Sequence, residues 1–279
     1  MAEGLVDATW LHAHLNDPTL KVFDGSWYLR PRYANDAAAD FATAHIPRAR
    51  RFDVDDVTDP DSALEHMLPP PQVFEDKVRA LGVNAGDQIV VYDLGVLIAA
   101  PRVWWMFRAM GHDRVAVLDG GLPAWLAAGY PTVGVSVAPR PGNFIARYRP
   151  ELFRGLADMR RNLDTRSDVV VDARSPGRFW GREPEDQAPR AGHIPGSVCL
   201  PTIGLIDPAT RRFRPLDELA AVFRAAGVDP ARPIATTCGS GIAACTLALA
   251  LFLLGNRSVG VYDGSWTEWG ASPDVPVAV

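Results

Sequence analysis

The chain has 279 residues, of which 48% are hydrophobic and 22% are charged, and its formal net charge is -5 at pH 7. This length leaves room for two domains of ordinary size, and the apolar content is sufficient to build their cores. Because Lys and Arg are scattered rather than clustered, the sequence lacks the basic surface typical of nucleic-acid-binding proteins. A small solute or another protein is the expected partner.

The N-terminal segment has no basic start followed by an apolar stretch, so we expect no secretory signal and a cytoplasmic protein. The longest apolar run extends from Ile242 to Leu254. It is shorter than the roughly 20 residues that a helix needs to cross a bilayer. This run therefore predicts a buried helix, and we expect no membrane partner.

Four residues reveal an internal repeat. Asp24 and His45 in the first half have the same spacing as Asp172 and His193 in the second half. In both halves the His is followed by Ile-Pro. Since these residues recur in a half that has no cysteine, we interpret them as structural.

The repeat continues with equal length from Gly82 to Asp93 and from Gly227 to Cys238, so Asp93 is the first-half counterpart of Cys238. Continuous apolar runs such as Gln88 to Tyr92 are typical of buried parallel strands, and they alternate with longer helical stretches. The pattern predicts an α/β fold made of two similar domains, each a mostly parallel sheet flanked by helices.

A proline-rich segment separates the two repeats. Pro139, Pro141 and Pro150 discourage a helix there. We therefore predict a first domain at residues 1–138, a linker at 139–154 and a second domain at 155–279.

Cys238 follows a predicted strand, at the end where α/β folds bind ligands. Gly239 and Gly241 allow the next residues to curl so that successive backbone N–H groups converge, and a helix N-terminus would add partial positive charge. Such a loop would stabilise a thiolate for nucleophilic chemistry. Cys199 and Cys245 are expected to be structural, because no zinc or disulfide spacing is present.

The whole chain resembles the two-domain rhodanese superfamily, whose second domain carries the active cysteine while the first is inactive. The resemblance lies in Cys238-Gly-Ser-Gly241, Ala99 to Arg108, Leu118 to Gly121 and Tyr262 to Trp266. Cys238-Gly-Ser-Gly241 is similar to the loop of 3-mercaptopyruvate sulfurtransferases, whereas thiosulfate-specific members place an Arg-Lys pair after the cysteine. The resemblance implies a sulfurtransferase that carries sulfur as a persulfide on Cys238 and uses no metal or organic cofactor.

Further site residues are implied by the same resemblance. Ser240, His66 and Asp55 match a Ser–His–Asp relay that handles the proton of the departing pyruvate, a task suited to a histidine. The loop residues Gly239, Gly241, Ile242 and Ala243 are expected to bind the substrate through their backbone, although the family commonly has Gly-Val-Thr-Ala from position 241.

Arg178 matches the family's substrate arginine, and a planar guanidinium is well suited to a carboxylate. A second family arginine follows a Glu-Pro-Glu motif, which here is Glu183 to Glu185. The nearest arginine beyond it is Arg190, so either Arg190 provides the second contact or that contact is missing.

Three alternatives stay open. A thiosulfate:cyanide sulfurtransferase would share the fold and the persulfide. A cysteine-dependent phosphatase would need an Arg at position 244, where this chain has Ala. A non-catalytic carrier would accept a persulfide on Cys238 from a partner and pass it on. For the enzyme, we expect a thiol acceptor such as thioredoxin, or cyanide.

Overall fold

The structure is a computed structural model that describes residues 3–28, 36–95, 97–135 and 138–279. Two compact units divide the chain. The first contains Met1–Pro60, Leu68–Tyr148 and Pro208–Arg212, and the second contains Asp61–Met67, Arg149–Asp207 and Phe213–Val279. Within the described ranges, no helix combines the length and apolar character needed to cross a bilayer.

Within its described part, the first unit has a parallel five-stranded sheet in the order β1-β5-β4-β2-β3. Its strands are β1 Leu5–Val6, β2 Leu20–Asp24, β3 Arg50–Arg51, β4 Gln88–Tyr92 and β5 Val115–Leu118. Its helices are α1 Ala8–His14, α2 Ala37–Thr43, α3 Pro71–Ala80, α4 Ala99–Ala109 and α5 Gly121–Ala127.

The described second unit repeats this topology, with a parallel five-stranded sheet in the order β6-β10-β9-β7-β8. Its strands are β6 Phe153–Arg154, β7 Val169–Asp172, β8 Val198–Cys199, β9 Ile234–Thr237 and β10 Gly260–Tyr262. Its helices are α6 Leu156–Thr165, α7 Pro176–Phe179, α8 Leu216–Ala225, α9 Ala244–Leu253 and α10 Ser265–Trp269. Two short 3-10 helices occupy Pro150–Leu152 and Thr202–Leu205.

The α/β fold predicted from the repeat is therefore confirmed in both units. Residues 139–149 form neither helix nor strand, in line with their prolines, whereas Phe153 and Arg154 pair with β10 and belong to the second sheet. The predicted linker thus includes two residues that form a sheet edge, because a two-residue strand is too short to give a periodic pattern.

The central strand of the second unit and the helix after it form the middle of that unit's core. Residues 234–237 of β9 are buried, and α9 is buried over nine consecutive positions, from Ala244 to Phe252. A helix that is apolar on all sides must be covered on all sides, which fits the continuous apolar run of the sequence. Its position fixes the loop between β9 and α9 firmly against the sheet.

The repeated histidines and tryptophans hold equivalent positions. His45 forms an antiparallel bridge with Val133, and His193 forms one with Ala278. Likewise, the indole N–H of Trp125 donates to the Pro131 carbonyl, and that of Trp269 donates to the Pro276 carbonyl, both at 2.9 Å. These contacts secure the last segment of each repeat. They give the recurring His residues a structural role in both units.

Truncating one side chain of the buried helix α9 should show how much its packing stabilises the second unit. We expect Leu247→Ala, at a fully buried α9 position, to lower the free energy of unfolding by about 3 kcal/mol, because the lost apolar contacts leave a cavity. Leu216→Ala on α8, where the side chain is 47% exposed, is the control and should change stability by less than about 0.5 kcal/mol. Urea unfolding followed by circular dichroism measures both values, and equal losses would contradict this description of α9.

Candidate active site

Cys238 lies directly after β9, at the carboxyl end of the central strand of the second sheet. Its side chain is 3% exposed, and Ser240 and Ile242 are also buried. The predicted buried helix, α9, begins at Ala244, directly after the loop of residues 238–243. Two turn residues, Ile242 and Ala243, separate this helix from the glycines of the loop.

The backbone of Cys238 is held from the next loop along the sheet. Its N–H donates to the Ser265 hydroxyl at 3.1 Å, and its carbonyl accepts from the Trp266 N–H at 3.1 Å. The neighbouring Gly239 carbonyl accepts from both the N–H and the hydroxyl of Thr267, at 2.8 and 2.9 Å. These bonds fix the start of the loop independently of any ligand.

Ser265 was not identified from the sequence, and it is one of the most constrained residues at the site. It is fully buried with a φ of 48°, a region that favours glycine. Its hydroxyl donates to the Tyr262 carbonyl at 2.7 Å and accepts from the Thr237 hydroxyl and the Cys238 N–H. The repeat offered one signal, since Gly121 stands at this position in the first unit with a φ of 57°.

The first unit shows what the equivalent loop binds. The Asp93 carboxylate accepts from the N–H groups of Gly95, Leu97, Ile98 and Ala100, at 2.9 to 3.2 Å. The Asp93 carbonyl also accepts from the N–H of Leu122, which mirrors the bond between Cys238 and Trp266. A loop of this length in this fold thus binds an anionic group at the position that Cys238 occupies in the second unit.

Gly241 and Gly239 are required by close contacts rather than by turn chemistry alone. Gly241 has a φ of 79°, and a Cβ there would lie 2.4 Å from the Asp263 carbonyl oxygen. A Cβ on Gly239 would lie 1.9 Å from the Gln187 side-chain oxygen. The loop predicted to bind substrate therefore packs directly against Gln187.

Arg178 belongs to α7, whose first turn is capped by the Ser175 hydroxyl. One nitrogen of its guanidinium, Nη2, donates to Glu185 at 2.5 Å and to Gln187 at 2.6 Å. Glu185 also accepts from Arg174 at 3.2 Å. The side chains of Arg178 and Glu185 are 11% and 3% exposed. The structure thus brings Arg178 next to the cysteine loop, with Gln187 between them.

Arg190 has a different environment. Its guanidinium donates to the backbone carbonyls of Trp269, Gly270, Ser272 and Val275. These bonds anchor the segment after α10. A substrate contact by Arg190 remains a prediction, and it would require this side chain to give up some of these bonds.

The two relay residues of the N-terminal half fall in different units. His66 is in the second unit, is 7% exposed, has a φ of 63° and places its Nε2 3.6 Å from a carboxylate oxygen of Glu65. Asp55 is in the first unit and accepts from the Trp27 indole N–H at 3.1 Å. Their roles beside Ser240 remain predictions.

The remaining cysteines have structural surroundings. Cys199 ends β8, and burial together with the nearby Asp172 carboxylate raises the pKa of its thiol to about 11. Cys245 is fully buried in α9, where its thiol donates to the Gly241 carbonyl at 3.3 Å. A thiol that stays protonated is a poor nucleophile, so Cys199 is not a competitor of Cys238.

Removing the Ser265 hydroxyl should separate its hydrogen bonds from its backbone strain. We expect Ser265→Ala to lower the free energy of unfolding by about 1–3 kcal/mol, because the buried Cys238 N–H and Thr237 hydroxyl lose their acceptor. Ser265→Gly should cost less, since glycine relieves the positive φ. Urea unfolding of both variants tests this order. The reverse order would contradict the presence of backbone strain at the positive φ of Ser265.

Comparison with known proteins gives a consistent result. A family profile described as "Rhodanese-like domain" matches residues 7–128 and 156–272. The chain is 40% identical to human 3-mercaptopyruvate sulfurtransferase, covering 96% of this chain and 92% of that protein. It is 39% identical to thiosulfate/3-mercaptopyruvate sulfurtransferase 1, mitochondrial, of Arabidopsis thaliana, over 99% of this chain and 78% of that one.

Among solved structures, SseA from Escherichia coli, described as a 3-mercaptopyruvate sulfotransferase with the rhodanese fold, superposes with a TM-score of 0.87 at 35% identity. The match covers 94% of this chain and 98% of SseA. With a matching domain in each half, the same sheet order in both units and relatives that align over nearly the full length, the chain belongs to the rhodanese family.

Proposed function

We propose that this protein is a 3-mercaptopyruvate sulfurtransferase that moves sulfur to a thiol or cyanide through a persulfide on Cys238. The observation that carries the proposal is the loop after the central strand. Its first-unit counterpart binds the Asp93 carboxylate through four backbone N–H groups. The same loop design around Cys238 would stabilise a thiolate and the persulfide anion that replaces it.

In the first half-reaction, the Cys238 thiolate attacks the sulfur of 3-mercaptopyruvate. The new S–S bond forms as the C–S bond breaks, and the electron pair of the C–S bond leaves on carbon as the enolate of pyruvate. The enolate takes up one proton to give pyruvate, and Cys238 retains the sulfur as a persulfide. No external oxidant or reductant is needed, because the pyruvate carbon keeps the electron pair that the transferred sulfur gives up.

Arg178 is the proposed receptor for the substrate carboxylate. A guanidinium offers a planar set of donors that matches a carboxylate. Nη2 of Arg178 is committed to Glu185 and Gln187, which orients the group, and its Nε is buried without a hydrogen-bond partner in the described chain. A buried donor of this kind is costly until a ligand accepts from it.

The proton for the enolate is proposed to come from Ser240, with His66 and Asp55 as its relay. Ser240 is a buried hydroxyl within the cysteine loop, and His66 is a buried imidazole of the same unit. A hydroxyl alone is too weak an acid, so a histidine that can accept and return the proton is a reasonable partner. Asp55 would orient that imidazole.

In the second half-reaction, a thiol such as that of thioredoxin, or cyanide, attacks the outer sulfur of the persulfide. The S–S bond breaks, the Cys238 thiolate is restored and the acceptor carries the sulfur away. Neither step calls for a metal or organic cofactor. The mixed surface charge supports such small or protein thiols as partners rather than a nucleic acid or a membrane.

Thiosulfate is the second candidate donor, and one observation favours it. The Arabidopsis relative carries both donors in its name. However, thiosulfate is a dianion that benefits from cations beside the sulfur, and the residues following Cys238 are Gly239 and Ser240. We therefore propose mercaptopyruvate as the preferred donor.

Steady-state kinetics with the two donors side by side tests the proposal. With cyanide or dithiothreitol as acceptor, we expect a higher kcat/KM for 3-mercaptopyruvate than for thiosulfate. Cys238→Ser should lower turnover with both donors by about a thousandfold or more, because a hydroxyl replaces the attacking thiolate. Mass spectrometry of the donor-treated wild type should detect one added sulfur on Cys238.

Arg178→Lys should raise KM for 3-mercaptopyruvate by about tenfold, because a lysine cannot make the forked contact to a carboxylate. Arg182→Lys, at an exposed position after α7, is the matched control and should leave KM unchanged. A preference for thiosulfate would favour the second candidate. Persulfide formation on Cys238 without turnover of small donors would favour a carrier.

A further inference from the structure

We propose that the first unit carries a second binding site, which takes a small soluble phosphate monoester with an aliphatic body. The site is a cavity of about 530 Å³, a volume typical of pockets that bind small molecules. Its described lining combines arginine side chains with aliphatic residues. The proposal goes beyond sulfur transfer, because nothing in that reaction uses this cavity.

The cavity lies at the amino ends of strands β2 and β3. The first three residues of β2 line it, as do the two residues that precede β3. The loop that follows Asp93 leaves the carboxyl end of β4, and β4 runs parallel to β2. The cavity and the Asp93 loop are therefore at opposite ends of the first sheet.

The lining is cationic, although the chain as a whole has a formal net charge of -5. Lys21, Arg48, Arg50 and Arg140 line the cavity, and none of its described lining residues is acidic. Asp87 neutralises Lys21 through an ion pair at 3.1 Å. Three arginines are left, and a doubly charged phosphate would balance their charge better than a single carboxylate would.

Arg48 and Arg50 are close enough for their charges to interact. Burial lowers the pKa of the Arg50 guanidinium, Asp87 acts to raise it, and the Arg48 charge lowers it again. Arg50 also donates to the Leu81 carbonyl. In the described chain, the Arg48 and Arg140 side chains have no hydrogen bond or ion pair. A phosphate bound between the arginines would replace this repulsion with attraction.

The internal repeat indicates that the shared fold does not require these cations. In the alignment that pairs the two His-Ile-Pro segments, uncharged residues occupy the equivalent positions of the second unit. Val169, Gly196 and Val198 stand there in place of Lys21, Arg48 and Arg50. Since both units form the same sheet, the charges of the first unit serve a purpose other than folding.

Arg48 occupies a backbone conformation that favours glycine. Its φ is 67°, and Gly196 at the equivalent position has a φ of 80°. A residue with a side chain is unfavourable in this region. The first unit thus accepts local strain at the position that brings an arginine to the cavity, and strain of this kind is concentrated at functional sites.

Aliphatic residues form the rest of the cavity. Leu20, Val22 and Ala49 line its buried side and belong to the core of the first unit. Val135 and Pro139 line it from the segment between the two repeats, and Val135 is 82% exposed. The described lining has no aromatic side chain on which a nucleotide base could stack. An aliphatic body is therefore the better match.

The segment between the repeats is held to the first unit close to the cavity. The Gly142 N–H donates to the Arg79 carbonyl at 2.8 Å, and the Phe144 N–H donates to the Val83 carbonyl at 3.1 Å. Phe144 is also buried. These contacts hold this wall of the cavity in place before a ligand binds, which reduces the entropy lost on binding.

Calorimetric titration of the whole protein with hexyl phosphate tests the site. We expect a Kd below about 1 mM that rises with salt concentration. Inorganic phosphate lacks the aliphatic body and hexanoate carries only one charge, so each should bind about fivefold more weakly or worse. Absence of hexyl phosphate binding, or equal affinity for the three probes, would overturn the proposal.

Arg48→Gly gives the first unit the residue that the second unit has at this position. It should raise the Kd for hexyl phosphate by about tenfold and weaken its salt dependence. The urea midpoint should stay the same or rise, because glycine suits the positive φ. Arg166→Gly is the matched control: Arg166 has a φ of 48° but ends α6 in the second unit. Equal effects of both substitutions on the Kd would contradict a site at this cavity.

Two further variants locate the ligand. Val135→Ser should raise the Kd for hexyl phosphate by about threefold and leave that for inorganic phosphate unchanged, because it alters only the aliphatic lining. Arg178→Lys changes the anion receptor proposed for the active site and should leave both values unchanged. A Kd that rises with Arg178→Lys and not with Arg48→Gly would place the ligand beside Cys238 and overturn the proposal.

A lipid headgroup offers the same phosphate and aliphatic chemistry as a soluble monoester. Co-sedimentation with phosphatidylglycerol vesicles distinguishes the two sources, and we expect the wild type to stay in the supernatant because a concave cavity suits a single small molecule. Sedimentation that is lost in Arg48→Gly would overturn the assignment to a soluble ligand. None of these measurements depends on turnover, so they leave the proposed sulfurtransferase function to its own test.

Discussion

This molecule depends on hydrogen bonds from a curled backbone loop to one anionic group. The group lies at the carboxyl end of a central parallel strand. In the first unit the group is the Asp93 carboxylate, and four N–H groups converge on it. Four N–H groups directed at one point are unfavourable unless an acceptor is present, since each buried donor left alone costs about 1–3 kcal/mol. The first unit supplies that acceptor from its own chain. Its loop is therefore satisfied without a ligand.

The second unit keeps the same loop but places Cys238 where the carboxylate stood. A thiol is a weak partner for backbone donors, whereas a thiolate or a persulfide is a strong one. Transfer chemistry relies on these charged forms of sulfur, which is the basis of the function proposed above. The supporting bonds from Ser265, Trp266 and Thr267 act on the backbone of Cys238 and Gly239, so they position the sulfur through the backbone.

Much of this could be predicted from the sequence because the informative patterns are local and occur twice. The equal spacing of the repeats identified Asp93 as the counterpart of Cys238, and the apolar runs identified the central strands and α9. The apolar run that begins at Ile242 does not by itself show that Ile242 and Ala243 form a turn before α9, since apolar residues occur in both. The bonds of Arg190 could not be found, because its acceptors are carbonyls about 80 positions along the chain, and a carbonyl has no sequence signature. Gln187 and Ser265 were missed for a similar reason: their importance comes from what they contact.

The ion pair between Arg178 and Glu185 limits what this site can bind. A guanidinium buried to this extent needs carboxylate partners, because an unpaired buried charge is strongly unfavourable. Glu185 meets that need and also holds Arg174, which lies over the Trp266 ring at 4.3 Å and so joins the cluster to the loop that anchors Cys238. The pairing orients the guanidinium before any substrate arrives, but it also cancels the charge that would attract anions in general. A site built in this way binds a ligand through oriented hydrogen bonds rather than through an excess of positive charge.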